Sequence, residues 1–222
     1  MRDGRGMVGH SSGFMLEKCC HNLDICNIIK VSHPKRVASF GGRRSFLPQN
    51  APTTNIEAEI FHVKKSVWDS VDDPFQSNGD IVDFQTVILD YESGPSLAFH
   101  TNLKVPEEHR RFCAIHTHGM AEGDFVRGYL KVTKRGGSIA FEADYTDQDS
   151  AKASAHYGAD HMMIEDIVAF RRRELDQLPS GVVDALEAGI AALALDEARE
   201  SGQVVDLSPF CAEFHKFGLR AK

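Results

Sequence analysis

Phe112-Cys113-Ala114-Ile115-His116-Thr117-His118-Gly119 is the stretch whose reading decides the fold. A short apolar run with a β-branched end reads as a buried strand, and the glycine stops it. Residues two apart on a strand project from one face, so His116 and His118 are expected to point together off the strand's carboxyl end. Two imidazoles held that way make half of a metal site. Thr146-Asp147-Gln148-Asp149, at the head of a helix-compatible Ser150 to Tyr157, offers the carboxylate half. Zinc sites that do chemistry commonly take three protein ligands and leave the fourth position to water.

Upstream of this stretch, Ile81 to Tyr91 and Ser96 to Leu103 are strand-like on either side of Glu92-Ser93-Gly94-Pro95, which reads as a hairpin. Downstream, Tyr129 to Val132 and Ser138 to Glu142 flank Lys134-Arg135-Gly136-Gly137, a second hairpin with a glycine turn. The Ala-rich segment Ser150 to Tyr157 is closed by Gly158 as a helix is, and Met162 to Phe170 follows as a strand or paired short strands. Ser180 is placed to cap a long helix whose stripe is Val182, Val183, Leu186, Ile190, Leu193 and Leu195, ending near Gly202. Gln203 to Leu207 reads as a last strand. Ile56 to Val71 fits a helical stripe, while Glu57 to Val63 can equally be written as a strand.

This alternation predicts an α/β (α+β) fold over residues 54–222, a mixed and mostly antiparallel sheet flanked by helices. Residues 1–53, rich in Gly, Ser, Arg and His and broken by Gly41-Gly42, Pro48 and Pro52, are expected to form a basic flexible arm in which only Leu23 to Val31 looks structured.

Composition narrows the function classes. Apolar residues make up 42% and charged residues 26% of the 222, near globular averages, so the chain supports a sizeable core. The net charge of −7 divides unevenly: residues 1–53 carry 8 Lys/Arg against 3 Asp/Glu, the rest 17 against 29. An acidic body argues against a nucleic-acid partner, which requires a basic face to displace counterions. No apolar stretch approaches the length of a membrane span and no secretory core opens the chain, so a cytoplasmic protein is expected. The five cysteines, an odd number at irregular spacing, do not form a disulfide framework, and Cys19-Cys20-His21 with Cys26 lacks the second ligand pair of a zinc finger.

The order of His-x-His on a strand, Ser/Thr-x-x-Asp opening an Ala-rich helix, then Gly and a hydrophobic strand resembles the JAMM (MPN-plus, JAB) zinc isopeptidases. The residues that carry it are His116-Thr117-His118-Gly119, Tyr145-Thr146-Asp147-Gln148-Asp149, Ala151, Ala153, Gly158 and Met162-Met163-Ile164. The resemblance implies a cytidine-deaminase-like JAMM core with Zn2+ held by His116, His118 and Asp149. Thr146 would stand for the family's serine, and Glu57 or Glu59 would take the proton from metal-bound water. It further implies a hydrolase that cleaves a peptide or isopeptide amide of a peptide or protein substrate, the metal lowering the pKa of its water to about 7. Rival readings start from the same residues. His116-x-His118-x-x-x-Glu122 matches half of a cupin motif, Pro95-Ser96 with His100 suggests a class II aldolase, and a metal-free scaffold that binds a protein partner needs no ligands at all.

Overall fold

Met15, Cys19 and Leu23 recur every fourth residue and are all buried, the signature of a helix laid on a core by one face. In the computed structural model, which describes residues 13–30, 32–54, 75, 80–144 and 159–219, this segment is a π-helical turn, Met15–Cys19, running directly into helix α1, Cys20–Lys30. The chain divides into two compact units, Met1–Lys104 with Ser180–Lys222, and Val105–Pro179.

The first unit contains the π turn, α1, strand β1 (Pro34–Gly42), β2 (Phe84–Tyr91) and β3 (Ser96–Asn102). Its sheet runs in the order β3-β2-β1-β8, where β8 is Val205–Asp206. Every pairing in it is antiparallel, and the expected hairpin is the β2–β3 pair, with Val87 opposite Phe99. Alternation fixes the faces: Val87, Leu89 and Tyr91 of β2 and Val37 of β1 are buried, whereas Ile88 and Phe40 on the opposite face are exposed.

Val182–Ser201, the long helix of the same unit, is called α3 below because a helix of the second unit precedes it. Asp184 accepts the Gly181 N–H at 2.6 Å at its start, and Gly202, with φ 67°, closes it. The face α3 buries is Ala188, Ala191, Ala192, Ala194, Leu195 and Ala198, while Val182, Leu186 and Leu193 of the expected stripe are exposed. Alanines win because a side chain of one carbon lets the helix axis approach β1 and α1 closely, which larger residues would prevent. The last helix, α4 (Ser208–Lys216), buries Cys211 and Phe214.

β1 and α1 both lie within the stretch 1–53 expected as an arm. The glycines and prolines read there as breakers mark the end of β1 and a 3-10 turn, Pro48–Asn50. Gly41 sits where a Cβ would stand 2.6 Å from the Phe84 carbonyl oxygen, so a close strand approach, not a flexible tail, selects it.

The second unit is an antiparallel meander of β4 (Arg111–His116), β5 (Gly119–Asp124), β6 (Tyr129–Lys134) and β7 (Ile139–Asp144), in the order β4-β5-β6-β7, followed by helix α2, Ala159–Arg171. The hairpin expected around Lys134 to Gly137 is the β6–β7 pair. The strand expected over Met162 to Phe170 is instead part of α2. Met163, Ile164, Ile167 and Val168 carry spacings of three and four, and a continuous apolar run leaves that period easy to miss. The α/β class with antiparallel sheets flanked by helices therefore holds. The segments 55–74 and 145–158, where Ile56 to Val71 and the Ala-rich helix were expected, lie outside the described residues.

Candidate functional site

Thr117-His118 forms a two-residue hairpin turn, because β4 ends at His116 and pairs it with Gly119, the first residue of β5. The strand thus stops two residues earlier than the His-x-His reading requires. His116 closes a strand and His118 sits in the turn, its carbonyl accepting the Arg135 N–H at 2.8 Å. Both histidines are exposed. Gly119 explains the early stop, since a Cβ there would lie 2.2 Å from the Thr133 carbonyl oxygen, so this position serves the β5–β6 approach. Thr146, Asp149, Glu57 and Glu59 lie outside the described residues. Among the described residues no group of three or more His, Cys, Asp or Glu side chains stands where it could hold a metal ion.

Chemistry-bearing side chains converge elsewhere, on the face of the π turn and α1 that turns away from the core. Glu17 is half-buried, Lys18 and His21 are exposed and Asp24 is half-buried. Spacings of three and four residues put Glu17, His21 and Asp24 along one side of the helix, opposite Met15, Cys19 and Leu23. The turn that carries Glu17 and Lys18 is π-helical, a conformation whose extra residue per turn is found often at functional sites.

The far end of this face is built against the start of α3. The Ser180 hydroxyl donates to Asp24 Oδ2 at 3.4 Å, and His33 Nδ1 lies 2.5 Å from Glu187 Oε2. Burial raises the Asp24 carboxyl above its ordinary value, and the charges of Asp184 and Glu187 add to the rise, while the Ser180 hydroxyl and His21 oppose it. Burial likewise pushes the Cys20 thiol up. Deeper in, the Tyr91 hydroxyl donates to Asn27 Oδ1 at 3.0 Å and fixes α1 over the sheet. This face offers a titratable imidazole beside an ammonium and carboxylates, which suits proton transfer to or from a bound hydroxyl.

These residues lie in the stretch 1–53 whose composition suggests a flexible arm, and Cys19-Cys20-His21 with Cys26 lacks a zinc finger's second ligand pair, so the sequence does not single them out. The spacing of Met15, Cys19 and Leu23 was the available signal: it defines a buried helical stripe and leaves Glu17, Lys18 and His21 on the opposite side.

No protein-family model matches the chain, and no curated protein does. Solved structures do match. An aldose–aldose oxidoreductase from Caulobacter crescentus, in complex with glycerol, superposes with a TM-score of 0.59 at 14% identity, covering 93% of this chain and 51% of that one. An oxidoreductase from Agrobacterium radiobacter, in complex with NAD+, L-tartaric acid and magnesium, gives 0.59 at 15% identity over 89% of this chain and 50% of that one. A super-repressor mutant of Gal80p from Saccharomyces cerevisiae gives 0.63 at 12% identity over 90% and 51%. The protein thus has a fold found in one half of oxidoreductase structures, and it spans about half their length.

This likeness overturns the JAMM resemblance. The fold is shared with oxidoreductases and not with zinc isopeptidases, so the deaminase-like core, the zinc hydrolase activity and the Zn2+ cofactor expected from His116, His118 and Asp149 are withdrawn, and the cupin, aldolase and JAMM-scaffold alternatives gain no support. The His-x-His pattern misled because a hairpin turn supplies the same residue order as a strand end. No helix among the described residues is long and apolar enough to cross a membrane.

All strand pairs of the described residues are antiparallel. The parallel strand, glycine-rich turn and helix that cradle a dinucleotide's pyrophosphate are not among them, so the described residues do not fit that cofactor.

Proposed function

We propose that the chain is the substrate-side part of a nicotinamide-dependent oxidoreductase acting on a small polyhydroxylated substrate, with His21 as the group that takes or returns the proton of the reacting hydroxyl. The observation that carries this reading is the exposed face of Glu17, Lys18 and His21, standing on a fold shared with oxidoreductases. Oxidising an alcohol removes a proton from oxygen as well as a hydride from carbon, and an imidazole is suited to the first of these near neutral pH. Glu17 and Lys18 beside it supply an acceptor and a donor to neighbouring hydroxyls. The dinucleotide-binding part belongs outside the described residues. An aldose oxidoreductase and a tartaric acid complex among the similar structures support a substrate with several hydroxyls. The five cysteines, all thiols outside any disulfide, support a cytoplasmic setting.

The test is binding before turnover. Aldoses and L-tartrate are titrated into the full chain while the His21 ring and the amides of α1 are followed by NMR. At least one such compound is expected to perturb His21 and its neighbours, with the response lost in His21→Ala. Failure of every polyol and hydroxy acid to move these signals refutes the reading and favours the second one, a regulatory chain of the same fold, which the likeness to a repressor supports.

A further inference from the structure

We infer that helix α2 is a self-association surface: two copies of this chain pair through it antiparallel about a two-fold axis, Asp160 of each copy meeting Arg171 of the other at the two ends of an apolar seam. The inference goes beyond the proposed activity and does not rest on it.

Among the described α-helices, α2 is the one that buries no residue. It is not a polar helix. Met162 is 64% exposed, and Met163, Ile164, Ile167, Val168 and Phe170 are exposed as well. These six bare about 600 Å2 of apolar surface, the upper end of what the largest patch on a monomer carries, and patches of that size mark interaction sites.

The order of residues along the helix says what the partner is. Asp160, Ile164, Ile167 and Arg171 succeed one another at spacings of four, three and four, so they form one row, with Met163 and Phe170 beside it. A row that is acidic at its start, apolar in its middle and basic at its end is complementary to itself when reversed. In an antiparallel pair seam meets seam, each Asp160 faces an Arg171, and each helix's N-terminus lies by the other's C-terminus, as the dipoles prefer.

Arg172 and Arg173 extend the basic end. Arg173 takes φ 62°, with its N–H on the Phe170 carbonyl and the Glu174 N–H on the Ala169 carbonyl, a helix ending that ordinarily uses glycine. An arginine kept there against a conformational cost points to an anionic neighbour, and the acidic start of the reversed copy supplies one. A lipid surface fits less well. A helix that lies on an anionic membrane is basic along its polar side, whereas the polar side of α2 carries Glu165 and Asp166, with His161 3.0 Å from Glu165. In size, the patch together with its charged ends comes near the standard interface of about 800 Å2 per partner.

Sedimentation velocity on the full chain over a range of concentrations tests this without any substrate. A monomer–dimer equilibrium is expected. Ile167→Glu, at the centre of the seam and on an exposed position, should weaken it about a hundredfold or more, since it sets two unpaired carboxylates into the interface. Arg171→Asp alone should weaken it about tenfold, and adding Asp160→Arg to Arg171→Asp should return it to near the wild-type value. A monomer at every concentration overturns the inference, and slow amide exchange of α2 in that monomer would assign the seam to a surface of its own chain. A dimer indifferent to Ile167→Glu, or a double exchange no better than Arg171→Asp alone, overturns it too. So does a monomer that cosediments with phosphatidylserine vesicles and no longer does so in Ile167→Glu, the behaviour of a lipid-binding helix. Should Ile167→Glu unfold, the wild-type equilibrium and the charge exchange decide.

Discussion

His33 and Glu187 are joined by a 2.5 Å contact between Nδ1 and Oε2, tying the turn after α1 to the first half of α3. Glu187 is 6% exposed, on a helix face otherwise made of alanine and leucine, and it tolerates that burial because an imidazole meets it. Truncating either side chain removes this contact. Glu187→Ala is expected to lower unfolding stability by about 2 kcal/mol, and a double-mutant cycle with His33→Ala in urea should return a coupling of about 1 kcal/mol or more. Strict additivity of the two single changes would remove the pair from the forces that seat α1.

Asp83 is fully buried, and its carboxylate accepts the backbone N–H groups of Arg44, Ser45 and Phe46 at 2.7 to 3.0 Å. The loop after β1 is wound around this one side chain, with Phe46 packed on Phe75 at a centroid distance of 5.4 Å. Asp83→Ala leaves three backbone donors, that of Phe46 buried and those of Arg44 and Ser45 part-buried, without their acceptor and should cost about 3 kcal/mol, read as a fall in the urea midpoint at unchanged slope. Asp83→Asn, which keeps an acceptor oxygen but not the charge, should lose less.

The sheet was legible where turn chemistry is explicit. Glu92-Ser93-Gly94-Pro95 and Lys134-Arg135-Gly136-Gly137 announced the β2–β3 and β6–β7 hairpins, because a glycine between alternating segments leaves few other options. The helix face of α3 was legible only in part: Leu195 and Ile190 of the expected stripe pack on the core, but a hydrophobicity reading also ranks Leu186 and Leu193 above alanine while packing distance ranks them below. The site was hidden by a different error. Richness in Gly, Ser, Arg and His in residues 1–53, with Gly41-Gly42, Pro48 and Pro52 as breakers, masks the four-residue spacing of Met15, Cys19 and Leu23, although spacing reports burial directly and composition does not. The histidine pair drew attention because strand and hairpin turn share one residue order, and the pairing of His116 with Gly119 that separates them is a tertiary fact.

Gly119 has φ 155° and a Cβ position only 2.2 Å from the Thr133 carbonyl oxygen. Any side chain must push β5 off β6. Gly119→Ala is therefore expected to destabilise the meander by about 2 kcal/mol or more, seen as faster amide hydrogen exchange in β5 and β6 while α1 and α3 keep their protection. Exchange unchanged throughout β5 would show that the strand pair relaxes at no cost.

Asp124, 2% exposed, plays for the second unit the part Asp83 plays for the first. Its Oδ1 accepts the N–H groups of Arg110, Val126 and Arg127 at 3.1, 2.9 and 3.3 Å, and the Arg111 guanidinium stands 3.6 Å from Oδ2. Burial alone would raise this carboxyl, but the three N–H groups and the charge of Arg127 outweigh it and hold it below the ordinary carboxylate value. The sign of the pH dependence follows from that. Below the folded pKa both states bind the proton, and above the unfolded value of about 3.9 both have released it, so the stabilisation is complete above about pH 5 and drains away as pH falls through the lowered folded value. Asp124→Asn, which carries no charge at any pH, should be less stable than wild type by about 2 kcal/mol at pH 7. The gap should close in acid, measured by the exchange rates of the Arg110, Val126 and Arg127 amides or by urea unfolding from pH 7 to 2. A gap that stays constant down to pH 2 would mean that the fit of the Asp124 side chain, and not its charge, supports the loop between β5 and β6.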